Sequence, residues 1–258
     1  METENVTYLN RAEKIIDILR EKGTVNVGYL AELFHVSGTT IRTDLNRLEE
    51  NGEIVRTHGG AMLRSSYIRE SRIAEREHEE EKNRIAQAAV QFVHNSDTIL
   101  IDTGTTMAAF ARALTRSSLK ELRIFTIDLE IAAVLENNPS FEIRMVGGRV
   151  RNGFHYCYGH QVIEEIGKYN FEKLFLATSA MESSHGLTTS NVDLAELKEA
   201  MIRASGTIYL LSDSSKAGQV DFQRFANLRD IDVCITDHNI PADILETFRE
   251  QMGTVIAI

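Results

Sequence analysis

The chain has 258 residues, 43% of them hydrophobic, and a formal net charge of −10. That length holds one large or two modest domains, and no apolar run approaches the ~20 residues that cross a bilayer. The acidic balance excludes a protein that coats nucleic acid over its whole surface, and two cysteines, Cys157 and Cys234, make neither a disulfide framework nor a metal cluster. The opening "METENVTYLN" is polar and acidic, unlike a secretory signal, so a cytoplasmic protein with free, buried thiols is expected.

The first sixty residues read as mostly helical. "RAEKIIDILREKG" places Ile15, Ile16, Ile18 and Leu19 on one face, and Gly23 is the expected stop. "TVNVGYLAELF" offers a short strand and a second helix, and "HVSG" a turn in which Ser37 is placed as an N-cap, worth about 1 kcal/mol. Ile41, Leu45 and Leu48 recur at helical spacing until Asn51–Gly52 ends the third helix. "EIVRTHGGAML" then alternates apolar and polar residues around Gly59–Gly60, the pattern of a two-stranded wing.

Helix, helix, turn, helix, hairpin is the order of a winged helix-turn-helix. The inward face of the third helix leaves Thr39, Thr40, Arg42, Thr43, Asn46 and Arg47 pointing out, with Ser37 at its tip. These types read base edges and phosphates: arginine suits guanine, asparagine suits adenine and threonine meets the thymine methyl. In the wing, Arg56 and His58 flank the glycines, placed to touch backbone or minor groove. From Ser37 to Leu63 the positives are Arg42, Arg47 and Arg56 against Asp44, Glu49, Glu50 and Glu53. So modest an electrostatic footprint favours a specific site read by a dimer over indiscriminate binding. The competing reading is a small helical dimerisation module.

A charged stretch, "RSSYIRESRIAEREHEEEKN", follows as a linker or exposed helix, either a solvated face or a relay between the two halves. The expected division is 1–63 for the winged helix, 64–82 for the linker and 83–258 for a second domain. Candidate strands there are "DTILID", "LRIFT", "EIRMV", "KLFLATS", "TIYLL", "DVCIT" and "TVIAI", mostly separated by helical patterns. Near-continuous apolar strands alternating with helices predict a mostly parallel sheet covered on both faces, with ligands beyond the strands' carboxyl ends.

Two loops after strands have the chemistry of a phosphate site. In "DTGTTM", Asp102 ends a strand, Gly104 admits close approach, and Thr103, Thr105 and Thr106 add hydroxyls to helix-start amides. A Thr-capped helix with no ligand is the alternative. In "DSSK", Asp213, Ser214, Ser215 and Lys216 offer donors and a point charge, or an ordinary surface turn. Gly147–Gly148 reads as a tight strand-end turn or a backbone wall of the pocket.

The residues "VSGTTIRTDLNRLEENGEIVRTHGGA", then "ILIDTGTT", "MVGG", "GLTT" and "LLSDSSK" in that order, resemble the DeoR family of bacterial transcriptional regulators over nearly the whole chain. The resemblance implies a repressor of a carbohydrate uptake or catabolism operon, a second domain similar to ribose-5-phosphate isomerase that senses a phosphorylated sugar, and a dimer or tetramer. It places Thr126, Ser179 and Lys198 in the effector site, although a solvated lysine is an equal reading of Lys198. It also shows departures. Ile127 stands where the family has asparagine, Tyr156 near a usual serine, Ser179 at a usual aspartate and Val192 at a usual glutamate. Such losses alter recognition of sugar hydroxyls, so a retained phosphate end and an altered sugar end are expected.

Three rivals remain. An isomerase needs a positioned carboxylate base, for which Asp102 and Asp128 are available, but the aspartate after the fourth strand is absent. No G-x-S-x-G elbow supports a hydrolase, and His155, His160 and His185 lack metal-ligand spacing. An activator differs from a repressor only in where its operator lies. The reading is therefore a regulator, with no catalytic residues, cofactor or metal, whose partners are operator DNA and a phosphorylated carbohydrate.

Overall fold

A computed structural model describes residues 8–22, 24–57, 59–63 and 78–258. Gly23, His58 and the stretch 64–77, which holds most of the expected linker, lie outside them. The described residues fall into two compact units, divided between residues 77 and 78.

The first unit runs α1 (Tyr8–Lys22), β1 (Thr24–Asn26), α2 (Val27–Phe34), α3 (Gly38–Glu50), β2 (Ile54–Thr57) and β3 (Gly60–Leu63). Ile15 and Leu19 of α1, Leu30 of α2, and Ile41, Leu45 and Leu48 of α3 form one core, each at most 1% exposed. Asn26 caps α2, accepting from the Tyr29 amide, and His35 ends that helix in the left-handed region at φ 52°. Ser37 caps α3, accepting from the Thr40 amide. The wing has three strands, not the expected two. β1 pairs antiparallel with β3, which also pairs with β2. Gly59 turns the hairpin at φ 76°, and a Cβ on Gly60 would stand 1.9 Å from the Val25 carbonyl oxygen, so only glycine lets β1 pair there.

The second unit begins at His78, inside the expected linker, because Lys82 and Ile85 of α4 (Glu79–Val90) are buried. The remaining elements are β4 (Thr98–Ile101), α5 (Thr105–Thr115), β5 (Arg123–Thr126), α6 (Leu129–Leu135), β6 (Glu142–Met145), β7 (Arg149–Val150), β8 (Cys157–Tyr158), α7 (His160–Ile166), β9 (Phe171–Leu176), β10 (Ala180–Glu182), β11 (Gly186–Thr189), α8 (Val192–Arg203), β12 (Ser205–Leu211), β13 (Gln223–Ala226), β14 (Val233–Thr236), α9 (Ala242–Gln251) and β15 (Thr254–Ala257).

All seven expected strands lie in one sheet of order β15-β14-β12-β9-β4-β5-β6, every pairing parallel. Their apolar runs are continuous because both faces are covered. Leu100, Leu174, Leu210 and Cys234 face one core, which takes Val162, Leu197 and Phe248 from α7, α8 and α9. Ile99, Ile101, Phe175 and Leu211 face the other, with Ile85, Phe110 and Ile131 from α4, α5 and α6. Two short antiparallel sheets, β7-β8 and β10-β11-β13, stand apart from the main sheet. No described helix is long and apolar enough to cross a membrane.

Candidate functional sites

In the first unit the outer face of α3 is the candidate. Thr39, Arg42, Thr43, Asn46 and Arg47 are exposed and Thr40 is half-exposed. Two hydroxyls are committed locally: Thr40 bonds Ser37 at 2.9 Å and Thr43 donates to the Thr39 carbonyl at 3.1 Å. Arg47 lies over the Tyr8 ring, 5.0 Å from its centroid. Arg56 does not stand out from the wing. Its guanidinium donates to Asn46 Oδ1 and to the Gly60 carbonyl, and its amide donates to Glu49. The local charge balance also changes. Asp44 points inward, 2% exposed, and takes a bidentate hydrogen bond from Arg11, Nε at 2.7 Å and Nη2 at 3.1 Å. One acid counted against the reading face is thus neutralised beneath it.

In the second unit every main strand ends at the same edge. The loop after β4, residues 102–104, and the loop after β12, residues 212–213, are separated by β9 alone. Two strand spacings put them about 10 Å apart. Gly104 adopts φ 116° with open space before its α-carbon; Thr103 and Thr106 are buried and Thr105 half-exposed.

Asp102, fully buried, joins three elements. Its Oδ2 accepts from the Ala177 amide at 3.0 Å and from Lys198 of α8, whose ammonium also donates to the Ala177 carbonyl at 2.9 Å. Lys198 is therefore buried, not solvated, and sits over the Phe225 ring. Asp102 Oδ1 has no hydrogen-bond partner among the described residues.

Asp128 plays a part its residue type did not announce. One carboxylate oxygen caps α6 through the Glu130 and Ile131 amides, and the other accepts from the Thr103 hydroxyl at 2.5 Å. Burial raises its pKa, against the opposing effect of these donors. Thr126 is buried and accepts from the Asp128 amide.

The serines of the second loop are engaged within it. Ser214 donates its amide and hydroxyl to Asp237 at 2.7 and 2.9 Å, and Ser215 donates both to Asp213. Both hydroxyl hydrogens are given to carboxylates within the loop. Lys216 is half-buried; its backbone amide donates to the Asp213 carbonyl at 3.2 Å, while its ammonium makes no hydrogen bond or ion pair among the described residues.

Gly147 and Gly148 follow the edge strand β6, on the side of β4 away from β12. A Cβ on Gly148 would stand 2.4 Å from Val162 Cγ2 and 2.9 Å from the Tyr158 carbonyl oxygen, so that glycine is needed for packing. The hairpin beyond it returns Tyr156 to the site. Its backbone bridges Asp128, its ring is 2% exposed, and its hydroxyl accepts from Arg151 at 2.7 Å. Ile127 is buried, Ser179 is 3.4 Å from the Thr189 hydroxyl, and Val192 is exposed at the start of α8. His160 pairs with Glu164 and His185 with Glu182, and no group of metal-ligating side chains occurs among the described residues.

Comparison with known proteins matches residues 11–67 to a DeoR-like helix-turn-helix domain and residues 77–238 to a DeoR C-terminal sensor domain. The chain is 32% identical over 252 residues to a putative aga operon transcriptional repressor of Escherichia coli O157:H7, covering 96% of this chain and 93% of that one. It is 31% identical to the transcriptional repressor GlcR of Bacillus subtilis, covering 88% and 87%, and 29% identical to a lactose phosphotransferase system repressor of Staphylococcus epidermidis, covering 89% and 92%. Among solved structures it resembles a ribose 5-phosphate isomerase from Methanocaldococcus jannaschii with a TM-score of 0.40 and 17% identity over 54% of each chain.

Proposed function

Since this chain belongs to the DeoR family of transcriptional regulators, we propose that it is a cytoplasmic repressor of a carbohydrate uptake or catabolism operon, released from its operator by a phosphorylated carbohydrate. The observation that carries the DNA half is the third helix. It is capped by Ser37, anchored by Ile41, Leu45 and Leu48, and exposes Thr39, Arg42, Thr43, Asn46 and Arg47. With its only buried acid neutralised by Arg11, this face is suited to the major groove. The names of the relatives, an aga operon repressor and a lactose phosphotransferase system repressor, support the carbohydrate assignment.

The effector reading rests on the sheet edge. The open α-carbon of Gly104 lets a phosphate approach the amides of Thr105 and the start of α5, and Lys216 is the cation about two strand spacings away. Ser214 and Ser215 serve this site by shaping its loop. Tyr156 and Ser179, which depart from the family pattern, lie toward the sugar end. An isomerase reading is weaker, because Asp102 is tied to Lys198 and Ala177, and a carboxylate so held is a poor general base. The effector must bind the DNA-free arrangement better than the bound one, and a coupling of about 1–3 kcal/mol is enough. A dimer or tetramer would set the half-site spacing.

The test is fluorescence anisotropy of the purified protein with the DNA upstream of its own gene, titrated with a panel of sugar phosphates. Tight, salt-sensitive binding that one compound releases is the expected result. Absence of binding removes the DNA reading, and binding that no sugar phosphate disturbs removes the effector reading alone.

A further inference from the structure

Residue type alone pairs Asn46 with adenine, which needs the amide oxygen to accept from the adenine N6 amino group while the amide nitrogen donates to N7. The structure uses that oxygen elsewhere. Asn46 Oδ1 accepts from Arg56 Nη1 at 2.5 Å. A guanidinium carries only donors, so the atom it meets is the carbonyl oxygen, and the amide is held in one orientation. Arg56 is fixed in turn by Nε on the Gly60 carbonyl at 3.2 Å and by its backbone amide on Glu49 at 2.8 Å. One lone pair of that oxygen is thereby taken, and the group Asn46 offers freely along the exposed face is its NH2. An amino donor approaching the bonded oxygen would also meet the positive guanidinium.

Arg42 stands one turn earlier on the same face and is exposed. Burial lowers the pKa of Arg56, Glu49 opposes this, and the Arg42 charge lowers it further, so the two guanidiniums lie within electrostatic reach. Of the hydroxyls around them, that of Thr40 is bonded to Ser37 and that of Thr43 to the Thr39 carbonyl.

We propose that Arg42 and Asn46, with Arg56 held against the Asn46 oxygen, present the operator with an edge dominated by hydrogen-bond donors, and that the half-site presents guanine to Arg42 and to Asn46. This inference rests on the DNA reading above and names its base chemistry. Guanine is the base with two major-groove acceptors, O6 and N7. Four helical residues span about 6 Å, and bases rise about 3.4 Å along a strand, so the two guanines are one to two steps apart. Arg56 touches no base in this scheme. It is a positioning residue that occupies one lone pair of the Asn46 oxygen and sets a positive charge beside the other, disfavouring an approaching amino donor.

The experiment is selection from randomised duplexes with the full-length protein and its Asn46→Ala, Arg42→Ala and Arg56→Ala variants. Asn46→Ala marks the position that Asn46 reads by erasing preference there. With the wild type that position is expected to be guanine, and Arg56→Ala, by freeing Oδ1, shifts it toward adenine. Wild-type selection of any other base there, or an Arg56→Ala preference unchanged from wild type, overturns the assignment. If Arg56→Ala does not fold, 7-deazaguanine at that position of a wild-type site decides instead. Loss of N7 is expected to weaken binding roughly tenfold, and undiminished affinity overturns the proposal. A wild-type protein that enriches no sequence overturns it too, through failure of the DNA reading, a result distinct from enrichment of the wrong base.

Discussion

Asp44 is a surface acid in the sequence and a core acid in the structure, and its energetics follow from the second description. Arg11→Met would strand a buried carboxylate, at a cost of about 3–5 kcal/mol in the first unit. Adding Asp44→Leu to that variant is expected to recover most of the loss, measurable by denaturant unfolding, because a well-packed apolar pair equals a buried ion pair. Asp128 makes a pH prediction. Its folded-state pKa is raised by burial, so the folded protein holds that proton more tightly than the unfolded chain. Its contribution is therefore greatest at pH below the ordinary carboxylate range and is lost as pH rises through the raised value. Asp128→Asn keeps the α6 cap through its amide oxygen, with the amide nitrogen now donating to the Thr103 hydroxyl, and should remove that slope, which melting temperatures across pH will read. Lys216→Ala is expected to leave operator affinity intact and blunt release by the effector; full release would exclude Lys216 from the site. At this scale little was legible in advance. Residue types named Asp102 and Asp128 and the family resemblance named Lys198, but that Lys198 is buried against Asp102, 96 positions away, depends on three elements meeting.

Periodicity carries elements, and where it is long the sequence was sufficient. The seven main strands and the helices α1, α2 and α3 are visible as apolar runs or faces because each buries a whole side. β7, β8, β10, β11 and β13 were missed. They span two to four residues each, too short for a period to show; glycines at 147, 148 and 153 flank β7, and Gly186 opens β11. β1 was seen as a strand but not as the third member of the wing, since nothing local tells it to pair with β3. Gly60 records that pairing. Gly60→Ala should drive a Cβ into the Val25 carbonyl and lower the first unit's melting temperature, while Gly59→Asn, at a left-handed position with open space, is expected to be mild.

At the scale of the whole chain, a net charge of −10 coexists with a reading face that shows Arg42 and Arg47 and hides Asp44. The acidic total thus limits non-specific association without preventing a specific complex. If Arg47 meets phosphate in the proposed complex, Arg47→Ala should weaken binding to all sequences alike and reduce the salt slope by about 0.9 per half-site.

The sheet order has a further consequence, a kinetic one. Its central strands β4 and β9 are joined across more than seventy residues, with Ile99 beside Lys173, whereas the wing pairs Thr57 with Gly60. Closing the longer loop costs entropy before any neighbour rewards it, so the second unit must search slowly where the first can nucleate locally. As each chain leaves the ribosome, the reading head would be finished while the sheet still waits for β9. During that interval β4 and β5, apolar on both faces, are the segments most in need of protection from aggregation.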